Sequence, residues 1–400
     1  MEKRCYIGKG IFALLVAVAT LAGCSKDSDS NDSPTPTPPV VEDPYKEWST
    51  KPKIKEGETS YISFYVEDKE ISGVDFNLKG NGWTDLNNNG VQDPDEKSEI
   101  FDGSDKHYTL QSRAFTVYGN ITSLIATDNV LKGLDISHAP TLQEVKAGIN
   151  EINALNLKEN KALTKLNVYE NGLSTLDLKE NKALNELNVS YNQLSTLDLR
   201  ENKSLTELNV ANNKLSALDL KENKVLTKLY VYENTLSTLD LRENKSLNEL
   251  NVVNNQLSAL DLRENKSLTK LEVANNQLSA LDLTKNNVLT KLNVANNQLS
   301  TLDISTDSQL KEVDLVSNKL SEEAMLKIAE NLPQREEADK GTIFLQTFKI
   351  VNGKQVAENN KLNQEILDKL GVKKWIAKFI NKEGYYREYN GNPNTPHENP

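Results

Sequence analysis

The middle of the chain repeats every 21 residues, and no other feature constrains its fold as tightly. Aligned starts fall at Ile121, Leu142, Leu163, Leu184, Leu205, Leu226, Leu247, Leu268 and Leu289, with a partial tenth at Leu310. The unit reads L-T-x-L-x-V-x-x-N-x-L-S-x-L-D-L-x-x-N-x-x. In the unit starting at Leu163 the apolar positions are Leu163, Leu166, Val168, Leu173, Leu176 and Leu178. One unit cannot bury those side chains alone, so each must stack on its counterpart in the next and build a continuous core. An asparagine column at the ninth position runs from Asn171 to Asn318, and a second runs from Asn160 to Asn286. Both mark turns, where an amide can donate to and accept from backbone groups that water cannot reach.

The pattern L-x-x-L-x-V-x-x-N-x-L resembles the leucine-rich repeat, and its 21-residue length is similar to the internalin-type bacterial subclass. Residues 121–320, about half of the chain, carry the resemblance. It implies an α/β fold class: a leucine-rich-repeat solenoid of 21-residue coils with a small N-terminal β region and a C-terminal βα cap. Some members of the subclass carry Cys where this chain has Val168, Val189, Val210, Val231 and Val252. The L-x-L segment would line the concave face, with the residues between the leucines pointing outward.

Those outward residues are the least uniform part of the unit. They include Lys165, Asn167, Tyr169 and Glu170, then Glu186, Asn188, Ser190 and Tyr191, then Lys228, Tyr230, Tyr232 and Glu233. Tyr230 and Tyr232 sit two residues apart on one strand, so they share a face about 7 Å apart. Tyrosine joins a large apolar ring to a polar tip and is a favoured contact residue. The ligand-binding residues expected here are Lys165, Tyr169, Glu170, Tyr191, Lys228, Tyr230, Tyr232 and Glu233. The other reading makes them solvent-facing strand residues chosen for β propensity. The second half of each unit repeats an Asp column (Asp177 to Asp303) beside Lys or Arg. An active site is one local constellation, so carboxylates repeated in every coil read as a soluble mixed-charge surface.

Residues 51–120 read as a β-rich pre-repeat domain, with alternating apolar residues from Tyr61 to Leu78. Residues 85–96 then match the calcium-loop pattern D-x-[DN]-x-[DN]-G-x5-E. Donors would come from Asp85, Asn87, Asn89, the Val91 carbonyl, Asp93 and Glu96, with Gly90 allowing the sharp turn. Neither flank has helical periodicity, so the loop is expected between strands, with a structural Ca2+ as cofactor. The alternative is an Asn/Gly turn whose side chains bond their own backbone. Past Leu320, Ser321 starts a helix that Pro333 stops, Ile343–Ile350 and Trp375–Ile380 read as strands, and a helix near Asn363–Leu370 ends at Gly371. Residues 321–390 form the expected cap, and 391–400 a loose tail.

At the other end, Lys3, Arg4 and Lys9 precede an apolar run from Ile11 to Leu21, too short to span a bilayer. Leu21-Ala22-Gly23-Cys24 resembles the lipobox of bacterial lipoproteins. The resemblance implies cleavage after residue 23 and a lipid on Cys24. Ser25 in place of the Asp associated with inner-membrane retention implies the outer membrane of a Gram-negative bacterium. Residues 24–50 are Ser/Asp- and Pro-rich and read as an extended tether.

Net charge is −11, or −13 without residues 1–23, which argues against nucleic acid as a partner. Two cysteines and three histidines supply neither a disulfide framework nor a Cys/His zinc site. No Ser/His/Asp set, P-loop or dinucleotide fingerprint is evident. The expected function is a non-enzymatic, monomeric cell-surface binding lipoprotein taking a protein or glycan on its concave face. A structural or adhesive spacer and a glycan-active enzyme are the alternatives.

Overall fold

A computed structural model describes residues 47–67, 74–351, 354–358, 360–380 and 386–388. The leader, Cys24, nearly all of the tether and the 391–400 tail lie outside the described residues. Among the described residues, no helix is long and apolar enough to cross a membrane.

The chain begins with an antiparallel sheet of β1 (Tyr61–Tyr65), β2 (Val74–Asp85), β3 (Glu99–Tyr108) and β4 (Ala114–Ile125). β4 lies against both β1 and β2, and β2 against β3. Phe64 stacks on Phe115 at 4.7 Å and lies 4.7 Å from Phe76. These rings belong to the same apolar core as the repeat leucines. The end of β4 makes the transition. Phe115–Gly119 pairs within the N-terminal sheet, against β1 and β2. Ser123–Ile125 turns into the solenoid and runs parallel to Glu144–Lys146, with Leu124 opposite Val145. One strand therefore crosses the join expected between residues 120 and 121, and no unpaired edge is left there.

From Glu144–Lys146 to Glu312–Asp314, nine three-residue strands stack in parallel. Their register is the sequence period itself: Lys165, Leu166 and Asn167 face Glu186, Leu187 and Asn188. Every second residue of the L-x-V segment points into the core, and Leu166, Leu187, Leu208 and Leu229 are all at most 2% exposed. Each buried leucine of this kind contributes about 1.5–3 kcal/mol relative to an exposed one. The coils carry no helix, and their far side forms a second short sheet only between Ala280–Leu283 and Thr301–Ile304.

The two asparagine columns work differently. In the ninth-position column, Asn192 Nδ2 donates to the Val168 carbonyl at 2.9 Å while Oδ1 accepts from Leu173 N–H at 3.0 Å. Each such amide ties its coil to the preceding one through one donor and one acceptor. In the other column, Asn223 Nδ2 donates to the Leu199 and Asn202 carbonyls. Its Oδ1 is buried without a partner, as are those of Asn160, Asn181, Asn202, Asn244, Asn265 and Asn286.

The cap ends the stack. Helix α1 (Glu322–Asn331) starts where Ser321 Oγ accepts from Ala324 N–H, and α2 (Gln364–Val372) where Asn363 Oδ1 accepts from Ile366 N–H. The second helix runs through Gly371 to Val372, one residue past its expected stop. Strand Gly341–Val351 pairs in parallel with Glu312–Asp314 on one side and Trp375–Ile380 on the other. Met325, Ile328, Ile343, Ile366 and Trp375 close the leucine core. Asn360 supplies one more rung of the amide ladder from outside the repeat. Its Nδ2 donates to the Leu315 carbonyl at 2.7 Å, and its Oδ1 accepts from Leu320 N–H.

Candidate functional site on the concave face

The alternation of a β-strand sets the site. With Leu166, Leu187, Leu208 and Leu229 turned inward, the residues on either side face outward along the concave sheet. They line a groove of about 240 Å³ reaching from Lys146 across Asn167, Asn188 and Asn209 to Tyr230.

Its charges are matched. Lys165 pairs with Glu186 at 2.7 Å, Lys228 with Glu207 at 2.6 Å and Lys270 with Glu249 at 3.0 Å. Exposed pairs of this kind contribute at most about 1 kcal/mol each. Their larger effect is to leave the groove with little net charge.

The tyrosines occupy distinct places. Tyr230 donates its hydroxyl to Glu249 Oε2 at 3.0 Å at one end of the groove. Burial, then the hydrogen bond to the Glu249 carboxylate, pushes its phenol up to about 12. Tyr232 lies two residues further on, past the end of the Lys228–Tyr230 strand rather than on it as expected, and stands close to Tyr191 from two coils away. Burial first, then this contact, raises the Tyr232 phenol to about 12. Tyr191 is 44% exposed, the most open of the four. Tyr169 lies over Gly148 of the preceding coil, where an added Cβ would come within 2.2 Å of its ring. Of the expected residues, Lys165 and Tyr230 line the groove, Lys228 reaches it only through its pair with Glu207, and Tyr191 and Tyr232 come together beside it. Glu170 and Glu233 sit at the rim.

The backbone at that rim repeats one conformation. The residue before each ninth-position asparagine has a left-handed backbone, with φ between 51° and 56° from Ile149 to Ser317. L-residues other than Gly, Asn and Asp rarely adopt it. Asn212, Asn254, Asn275 and Asn296 suit the position. Glu170, Tyr191 and Glu233 do not, nor do Ile149 in the coil before them and Ser317 in the last coil; the first three stand in the coils that carry the tyrosines. Strain retained at unsuitable residues is characteristic of functional surfaces. In the coils beyond Glu249 the corresponding face becomes a strip of small apolar residues, Val253, Ala274, Ala295 and Val316, packed together with Phe344 from the cap.

The loop from Asp85 to Glu96 joins β2 to β3. Gly90 has φ +75°, and its N–H, with that of Asn89, donates to the fully buried Asp85 carboxylate at 2.9 and 3.2 Å. Glu96 accepts from Leu86 and Asp93 N–H, and both Asn87 and Asn89 donate Nδ2 to Asp93 Oδ2 at 2.7 Å. Val91 is exposed at the tip. Burial, and secondarily neighbouring carboxylates, raises the proton affinity of Asp85 and Glu96. Among the described residues no group of three or more Asp, Glu, His or Cys side chains is gathered closely enough to hold a metal. The loop's carboxylate and amide oxygens accept from its own N–H groups.

No protein-family profile and no curated protein sequence matches the chain. Solved structures do. The functional domain of InlJ from Listeria monocytogenes is 29% identical, with a TM-score of 0.51 over 60% of this chain and 53% of that one. The internalin InlF from Listeria monocytogenes is 19% identical, with a TM-score of 0.43 over 64% and 86%. YopM from Yersinia enterocolitica is 28% identical over 46% and 44%, with a TM-score of 0.37. The chain thus spans about half of the InlJ domain. The coil geometry and the InlJ likeness define a leucine-rich-repeat solenoid similar to internalin-type bacterial structures. The InlJ domain is described as including a cysteine ladder. Here the only cysteines are Cys5 and Cys24, outside the repeats, and Val168, Val189, Val210, Val231 and Val252 stack in the core.

Proposed function

We propose that this chain is a non-enzymatic binding protein that holds an extended protein or glycan along the concave face of the coils between Lys165 and Glu249. It acts as a monomer at the surface of a Gram-negative bacterium, tethered to the outer membrane through a lipid on Cys24. One observation carries the binding reading: departures from the repeat coincide. Tyr169, Tyr191, Tyr230 and Tyr232 share their coils with the unsuited left-handed residues Glu170, Tyr191 and Glu233. The coils of Asn254, Asn275 and Asn296 revert to Asn and small apolar side chains, and only Ser317 departs again in the last coil. A spacer would have no reason to gather its aromatic side chains in one half of its length. The convex carboxylates are paired with their own neighbours, as Asp198 is with Arg200 at 2.6 Å, which supports the non-enzymatic reading.

The test is a screen of the chain against extracellular-matrix proteins and a glycan array, repeated with Tyr230→Ala/Tyr232→Ala. A ligand retained by the wild type and lost by the variant is expected. No ligand at micromolar concentration, or one held equally by the variant, would refute the site.

For the loop we propose a structural Ca2+ held by Asp85, Asn87, Asn89, the Val91 carbonyl, Asp93 and Glu96. The burial of the Asp85 and Glu96 carboxylates, with Asp93 close by, supports it, because desolvated negative charge gains from a hard cation. Calorimetric titration should give heat and a higher Tm, both abolished in Asp85→Ala. An unchanged Tm with no heat would leave a self-bonded turn.

A further inference from the structure

The floor of the concave groove carries more chemical information than its rim. One residue per coil forms its central row: Asn167, Asn188, Asn209 and then Tyr230. Each Asn oxygen accepts the backbone N–H two residues on, from Tyr169 at 3.4 Å, Ser190 at 3.1 Å and Ala211 at 3.1 Å. A backbone N–H can only donate, so it fixes which end of each amide is oxygen. The Nδ2 groups are therefore the ends presented to a ligand, and none of the three donates to a protein acceptor among the described residues. The result is a row of amide donors, one per coil and about 4.8 Å apart, the spacing of neighbouring strands. Tyr230 ends the row with an aromatic ring, its hydroxyl already committed to Glu249.

We infer that the groove binds a neutral glycan, an extended chain of β-linked pyranose rings lying along the solenoid axis with one ring over each coil. The inference rests on the concave-face reading and deepens it to a ligand class. Donors without free acceptors call for a ligand rich in acceptor oxygens, which sugar hydroxyls and ring oxygens supply. Lysines neutralised by Glu186 and Glu207 give an ionic ligand no uncompensated partner. The spacing points the same way. Pyranose rings joined through equatorial oxygens repeat at a distance close to the coil rise. The Tyr230 ring offers the apolar face on which the C–H side of a sugar can rest.

The experiment is calorimetric titration of the full chain in detergent with cellohexaose, mannohexaose and xylohexaose, and with hexagalacturonate as an anionic counterpart. Binding of at least one neutral hexasaccharide, and none of the anionic one, is expected. Asn188→Leu should weaken it at least tenfold. Asn188→Asp, which keeps the oxygen that Ser190 needs but replaces the donor, should do the same and guards against misfolding of the first variant. Asn293→Leu should leave affinity unchanged, because the Asn293 amide already donates to Glu272 at 3.1 Å. Failure of all three neutral chains to bind, or binding indifferent to both Asn188 variants, would overturn the inference. A protein ligand lost in Tyr230→Ala/Tyr232→Ala, with no hexasaccharide bound, would overturn the glycan while leaving the concave-face site standing. Absence of ligands from both classes would overturn both.

Discussion

Replacing Glu170 by Asn should make the protein more stable while making it a worse binder. Glu170 has φ 52° and its side chain is exposed. A left-handed backbone costs an L-residue roughly 1–2 kcal/mol, and Asn is partly exempt because its short polar side chain bonds locally. The substitution therefore recovers about 1 kcal/mol and removes nothing buried. The reverse change at Asn275, at the equivalent position of a regular coil with φ 55°, should cost about the same. On thermal unfolding each corresponds to a shift of about 1–2 °C, upward for Glu170→Asn and downward for Asn275→Glu. Equilibrium urea denaturation followed by circular dichroism would measure both, with ligand affinity measured alongside. If Glu170→Asn leaves the midpoint unchanged or lowers it, the argument that these coils keep strained residues for function is wrong.

Asn234→Ala should cost about 2 kcal/mol in urea denaturation, because it strands the Leu215 N–H, worth about 1–3 kcal/mol when buried and unpaired, while the Val210 carbonyl keeps its bond from Asn213 Nδ2. Burial pushes the Asp314 carboxyl up to about 6 from 3.8, so the stability associated with its protonated form is present below pH 4 and lost as pH rises through 6. Asp314→Asn should accordingly be more stable than wild type at pH 7 by about 2–3 kcal/mol, with the advantage vanishing near pH 4; an equal difference at both pH values would refute that assignment. Gly148→Ala should displace the Tyr169 ring, seen as increased Tyr169 exposure by chemical modification, with little loss of fold.

The solenoid was legible because its cause is periodic: six apolar positions every 21 residues admit one stacking solution, and register follows from period. The ends were harder to read, because capping depends on tertiary partners. Asn360 completes the amide ladder from a position 42 residues beyond Asn318, and no local pattern announces it. The bend by which β4 passes from one sheet into the other was likewise invisible, since Phe115–Gly119 and Ser123–Ile125 are equally strand-like. At the site, the tyrosines stood out against the repeat, but the donor row did not. Asn188 and Asn209 look like consensus, and only the bond from Ser190 or Ala211 N–H shows that their amide nitrogens face outward. The left-handed rim could have been suspected from the sequence, because Asn recurs at 212, 254, 275 and 296 while Glu170, Tyr191 and Glu233 interrupt it.

Hydrogen–deuterium exchange of the chain with and without saturating ligand tests the central claim most directly. Function placed in the irregular coils predicts ligand-dependent protection confined to Lys165–Glu249, with the coils from Asn254 to Ser317 unchanged. Protection centred on those later coils, or on the convex Asp and Arg surface, would contradict it.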